Sequence, residues 1–147
     1  MPNTSRILIA DDNEANRELL EAYLSAVACE TEIAVDGQDT LDKVAKFKPD
    51  LVLLDVMMPK KSGFEVCKKL KGDPKTSKIL ILMVTALNET GDIERAVEAG
   101  TDDFLSKPVN KVELLKRVEI MLRLKDTTDE LERLRKYISA IEDSAGP

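Results

Sequence analysis

The chain has no histidine and no tryptophan. Without histidine there is no Ser-His-Asp or Cys-His relay, no HExxH zinc site and no histidine on this chain to carry a phosphoryl group. Aromatic residues make up only 3% of 147 positions, too few rings for a platform on which nucleic-acid bases stack. Basic residues number 22 against 28 acidic ones, and the net charge of −6 argues against a sequence-independent binder of DNA or RNA, which needs a basic face. Cysteine is scarce too: Cys29 and Cys67 form no CxxC pair and read as reduced, buried thiols of a cytosolic protein rather than a disulfide or metal site. No apolar run approaches the roughly 18 residues that span a bilayer, and residues 1–6 hold no apolar leader, so no membrane partner is expected and the location is read as cytoplasmic. The chemistry is left to carboxylates, lysine, hydroxyls or a partner's groups.

What is present is a regular alternation. Short aliphatic runs at 6–10, 30–35, 51–55, 79–84 and 103–105 are each followed by a stretch of helical period, at about 14–27, 37–47, 63–72, 88–99 and 110 onward. Three of the runs, Ile7-Leu8-Ile9, Leu51-Val52-Leu53-Leu54 and Ile79 to Val84, are apolar without alternation, as parallel strands buried on both faces are. Gly37, Gly63, Gly91 and Gly100 punctuate the turns. Five β-α units predict an α/β fold, a doubly wound five-stranded parallel sheet with right-handed crossovers. In such a sheet the ligand site lies at the carboxyl ends of the strands.

The last helix is expected to be extended, dividing the chain into a domain at 1–124 and a helical extension at 125–147. Leu114, Leu115, Val118, Met121 and Leu122 share the face that docks on the sheet. Ile120, Leu124, Leu131, Leu134, Ile138 and Ile141 fall on a roughly opposite face, at a and d positions of a short heptad pattern weakened by Thr127 at another d position. This seam predicts a homodimer through the C-terminal helix. The same pattern also suits an amphipathic helix folded back on its own domain.

Polar groups follow four of the runs: Asp11 and Asp12, then Asp55, then Thr85 and Ala86, then Lys107 and Pro108. Each alone has a plain structural use, such as Asp12-Asn13 capping the first helix. Together they gather three carboxylates, a hydroxyl and an ammonium at one sheet edge. Three clustered carboxylates repel, and a hard divalent cation relieves them. Mg²⁺ suits oxygen ligands and keeps several waters, and Mn²⁺ can substitute. With the cation bound, one carboxylate can attack phosphorus while Mg²⁺, Lys107, the Thr85 hydroxyl and a nearby backbone N–H take the phosphoryl oxygens.

The motifs Ile7-Leu8-Ile9-Ala10-Asp11-Asp12, Leu53-Leu54-Asp55-Val56-Met57-Met58-Pro59 with Gly63-Phe64-Glu65, Val84-Thr85-Ala86 and Gly100-Thr101-Asp102-Asp103-Phe104-Leu105-Ser106-Lys107-Pro108 resemble the receiver domain of two-component response regulators over about residues 5–124. The resemblance implies a flavodoxin-like sheet of order 2-1-3-4-5. It implies Asp55 as phosphoacceptor, with Asp12, Asp55 and the Met57 carbonyl as Mg²⁺ ligands and Asp11 holding the metal mainly through water. Thr85, Ala86 and Lys107 would contact the phosphoryl oxygens, and Thr85 and Phe104 would form the switch. The Lys107–Pro108 bond would be cis. Met57 and Leu87 are apolar where relatives carry polar residues that affect the hydrolytic water.

The resemblance further implies a phosphoryl donor, a sensor histidine kinase or a histidine phosphotransfer protein, and a switch rather than an enzyme turning over an external substrate. The exit helix resembles those preceding enzymatic outputs such as diguanylate cyclases or protein phosphatases, so the chain is read as a fragment of a longer protein rather than a stand-alone regulator. The residues after 124 are too few for a helix-turn-helix domain, so no direct nucleic-acid binding by this chain is expected. Two other classes share parts of this pattern: a dimerisation adaptor with a vestigial pocket, and an Asp-nucleophile phosphatase of the haloacid-dehalogenase type. The latter places its two aspartates two apart after the first strand, where this chain has Asp11-Asp12-Asn13-Glu14.

Overall fold

The computed structural model describes residues 4–86, 90–124, 134–135 and 137–141, without the side chains of Thr85 and residues 90–92. Among the described residues up to 124, five strands and five helices alternate: β1 Ser5–Ala10, α1 Glu14–Leu24, β2 Cys29–Ala34, α2 Gly37–Phe47, β3 Leu51–Leu54, α3 Gly63–Gly72, β4 Leu80–Thr85, α4 Thr90–Ala99, β5 Asp103–Ser106 and α5 Lys111–Leu124. All pairings are parallel, in the order β2-β1-β3-β4-β5.

The period of two along each strand sorts the apolar residues into two cores. Ile7, Ile9, Leu51, Leu53, Leu80, Leu82 and Val84 face α1 and α5 and pack on Leu20, Leu24, Leu114, Val118 and Met121. Leu8, Val52, Leu54, Ile81 and Met83 face α2, α3 and α4 and pack on Val44, Val66, Cys67, Leu70 and Ala96. That two-sided burial is why these strands read as unbroken apolar runs. β2 lies at the sheet edge, and its exposed Thr31 and half-buried Glu32 explain its broken pattern.

Helix starts are fixed by side-chain caps. Asn13 Oδ1 accepts from Asn16 N at 3.0 Å, Asp36 Oδ1 from Asp39 N at 2.7 Å and Ser62 Oγ from Glu65 N at 3.3 Å.

Two expectations need correction. Helix α1 stops at Leu24 rather than near residue 27, since the bonds beyond it tighten from i→i−4 to i→i−3, with Ala26 N on Tyr23 O and Val27 N on Leu24 O. More consequentially, residues 111–141 are not one extended helix. A straight helix would separate residues 117 and 137 by about 30 Å. Instead Arg117 NH1 lies 3.4 Å from the Tyr137 hydroxyl. The helical residues 137–141 therefore lie back on the domain. Ile120 and Leu124, expected on a dimer seam, are buried in one cluster with Tyr137, against which Ile141 packs. Leu134 and Ile138 are exposed, at 54% and 48%, and Leu131 falls outside the described residues. The physical reason is that an apolar stripe is satisfied equally by a second helix or by its own domain, and here the domain supplies Asp103 and Arg117 as partners for the Tyr137 phenol.

Candidate functional site

The strand ends deliver the carboxylates. Asp11 follows β1 directly and is held by the sheet, its N–H donating to Ala34 O at 3.1 Å. Asp55 follows β3, its N–H donating to Ala10 O at 2.9 Å. Both are buried, 1% and 5% exposed, whereas Asp12 is exposed. One oxygen from each of Asp11, Asp12 and Asp55 lies within 4.8 Å of the others.

Lys107, just past β5, reaches into this trio. Its Nζ is 3.0 Å from Asp11 Oδ2 and 3.5 Å from Asp55 Oδ2. The remaining Asp11 oxygen accepts from Asn13 N at 2.9 Å, and Asp55 Oδ1 from Met57 N at 3.3 Å. Arg17 NH1 donates to Asp11 O at 2.9 Å and ties α1 to the same turn. Two nearly buried carboxylates and an exposed third around one ammonium form a hard-oxygen pocket with more acid than base, and a divalent cation fits that donor set.

Thr85 ends β4, where its backbone pairs with Ser106 of β5; its hydroxyl lies outside the described atoms, and Leu87 outside the described residues. Ala86 is exposed at the same strand end. Phe104 sits in β5 opposite Met83, half-buried against the core on the α2–α4 side. The Lys107–Pro108 bond is cis. The Met57 side chain is 74% exposed.

Two features were not singled out from the sequence. The loop after β3 is braced by α2: Gly37 N donates to Pro59 O at 3.2 Å, and Lys60 Nζ lies 3.5 Å from Asp36. The only sequence signal for this is the cap-and-glycine pair Asp36-Gly37 at a helix start. At the opposite end of the sheet Asp102 belongs to no pocket of the strand ends; it binds Lys71 Nζ at 2.7 Å and Ile81 N at 2.7 Å.

Comparison with known proteins agrees with this arrangement. The response regulator receiver domain family matches residues 7–119, and the chain belongs to that family. Among curated relatives, Response regulator PleD of Caulobacter vibrioides is 47% identical over 130 residues, 88% of this chain and 29% of PleD. The DNA-binding dual master transcriptional regulator RpaA of Synechocystis is 40% identical over 132 residues, 90% of this chain and 54% of RpaA. The chain thus spans from under a third to just over half the length of these relatives. Among solved structures, the signal receiver domain of a histidine kinase from Syntrophus aciditrophicus aligns with a TM-score of 0.80 at 31% identity, covering 86% of this chain and 96% of that one. The receiver domain of sensor histidine kinase PA1611 from Pseudomonas aeruginosa, described with a magnesium ion coordinated in its active site cleft, aligns with a TM-score of 0.72 at 26% identity, covering 82% and 97%. Receiver domains bind Mg²⁺ at an acidic pocket and are phosphorylated by histidine kinases; Asp11, Asp12 and Asp55 form such a pocket here.

Proposed function

We propose that this chain is a phosphorylation-dependent switch in which Asp55 accepts a phosphoryl group from a phosphohistidine on a sensor histidine kinase or a histidine phosphotransfer protein. An Asp55 carboxylate oxygen attacks phosphorus, the P–N bond breaks, and the donor imidazole leaves with its electron pair and takes a proton. The observation that carries the reading is the Asp55 carboxylate, 5% exposed, grouped with Asp11 and Asp12 and facing Lys107.

Asp12, Asp55 and the Met57 carbonyl would hold Mg²⁺, with Asp11 acting mainly through water, and Mn²⁺ could replace it. Bound there, the cation supplies positive charge to a phosphoryl oxygen. Lys107 takes a second oxygen, and the Thr85 hydroxyl with the Ala86 N–H a third. The phosphoryl group, carrying roughly −1.5 to −2 where the carboxylate carried −1, draws Thr85 inward, and Phe104 follows into the space it leaves. The chain turns over no external substrate and works in the cytoplasm. The switch controls an output domain or a partner, a role that the greater length of PleD and RpaA supports.

Homodimerisation through the C-terminal helix belongs to this proposal as a second state. Pairing through Ile120 and Leu124 requires Tyr137 to leave its seat, so the docked segment and the helical dimer exclude one another. The haloacid-dehalogenase reading is set aside by family membership, and the intact pocket disfavours a vestigial adaptor.

The test is intact-protein mass after incubation with acetyl phosphate and Mg²⁺. A gain of one phosphoryl group, lost without Mg²⁺ and in Asp55→Asn, is the expected result. Failure of both phosphoryl uptake and beryllofluoride binding would turn the reading to the adaptor.

A further inference from the structure

In the reading above, the loop from Val56 to Ser62 presents the Met57 backbone to the carboxylates, and its course is held both from within and from α2. Met57 is exposed, and Lys60 adopts a left-handed φ of 69°, which a non-glycine residue keeps only when its surroundings enforce it. Within the loop, Met58 N and Gly63 N both donate to Val56 O, at 3.1 and 2.9 Å, and Lys61 N donates to Pro59 O at 2.8 Å across Lys60. From outside, the Pro59 carbonyl also accepts Gly37 N at 3.2 Å, from the first residue of α2. The approach is so close that a Cβ on Gly37 would overlap the Lys61 carbonyl oxygen and lie 2.7 Å from its carbon, backbone atoms that cannot swing aside. Asp36 caps α2 through Asp39 N at 2.7 Å and faces Lys60, so the brace is anchored in a helix start.

We infer that Gly37 is a positioning residue for metal binding: its missing side chain lets the α2 N-terminus clamp the left-handed turn at Lys60 and so aim the Met57 carbonyl at Asp11, Asp12 and Asp55. This rests on the Mg²⁺ reading above. Gly37 touches neither metal nor phosphoryl group, and it acts through the Pro59–Lys61 backbone.

Calorimetric titration of Mg²⁺ alone into the whole chain tests it. Gly37→Ala raises the Mg²⁺ Kd about tenfold, the scale for groups that orient metal ligands. Gly72→Ala, whose added Cβ meets open space, leaves it unchanged. Adding Lys60→Gly to Gly37→Ala recovers part of the loss, because glycine adopts the left-handed turn without enforcement; a merely weakened α2 would not be rescued from the loop. If Gly37→Ala does not fold, the parent chain still decides the matter. Linkage is reciprocal, so Mg²⁺ must slow hydrogen exchange at the Gly37 amide more than at Thr40 in the same helix. Unchanged Mg²⁺ affinity in folded Gly37→Ala, or equal slowing at both amides, overturns the positioning role. No Mg²⁺ binding by the parent overturns the metal reading itself, and the inference falls with it.

Discussion

Tyr137 donates its hydroxyl to Asp103, the residue directly before Phe104 in β5. The same carboxylate receives Arg117 NH1 at 3.1 Å, and its other oxygen accepts Phe104 N at 2.8 Å. One side chain thus joins the docked C-terminal residues, helix α5 and the backbone of Phe104. Whatever moves Phe104 acts on a strand that Tyr137 helps to hold.

Tyr137→Phe keeps the ring in the core and deletes the hydroxyl shared by Asp103 and Arg117. The expected cost is about 1 kcal/mol, the net value of a hydrogen bond of this kind. Tyr137→Ala also empties the seat of the ring and costs on the order of 3 kcal/mol. Urea unfolding measures both. In sedimentation the alanine variant shifts toward dimer, since Ile120 and Leu124 lose their cover. A midpoint that moves with neither substitution would mean that residues 137–141 do not dock in solution.

The docked phenol and a buried thiol give stability a sign against pH. Burial pushes the Tyr137 phenol above its ordinary 10.0, and the Asp103 carboxylate adds to the shift. Burial likewise pushes the Cys67 thiol from 9.0 up to about 12. In both the folded state keeps a proton that the unfolded chain gives up. Their contribution is therefore complete below pH 9.0 and is lost as pH rises toward about 12. The urea midpoint should hold steady from neutral pH to about 9 and then fall. Tyr137→Phe flattens part of that fall; an equal slope in the variant would remove Tyr137 from the account.

Much of this was legible in the residues, for a definite reason. Ile7-Leu8-Ile9 and Leu51 to Leu54 are apolar on both faces because they feed two cores, so the doubly wound sheet announces itself. In such a sheet the strand ends share one edge, and Asp11, Asp55 and Lys107 were found together by that rule alone. The end of α5 was not legible. Ile120, Leu124, Ile138 and Ile141 keep the same spacing whether a partner helix or the parent domain covers them. The deciding contact, Tyr137 with Asp103 and Arg117, is tertiary and leaves no periodicity. The bracing of the β3–α3 loop by Gly37 is hidden in the same way, since nothing in the residues 36–37 says which loop lies above them.

Repulsion among the carboxylates makes a separate prediction. Asp12 is exposed, but its oxygen lies within 4.8 Å of two buried carboxylates. Asp12→Asn should raise metal-free stability by on the order of 1 kcal/mol, since solvent screens much of the Coulomb term. Mg²⁺ then stabilises the parent by mass action and the variant far less. Thermal unfolding in EDTA and in Mg²⁺ reads both effects. A variant less stable in EDTA would show that Asp12 serves the fold more than the metal.

Lys107 separates charge balance from phosphoryl contact. Asp11 and Asp55 have side chains only 2% and 6% exposed, and Lys107 Nζ is within 3.5 Å of each. Lys107→Met leaves two buried carboxylates without that cation, at a cost of about 3 kcal/mol in EDTA. Mg²⁺ occupies the same carboxylates, so adding it narrows the gap between variant and parent. It cannot supply the ammonium to a second phosphoryl oxygen, and phosphoryl uptake from acetyl phosphate stays slow at saturating Mg²⁺. Stability rescued with uptake still impaired is the expected pattern. Rescue of both would leave Lys107 a counter-ion alone, and rescue of neither would place its role outside the carboxylate trio.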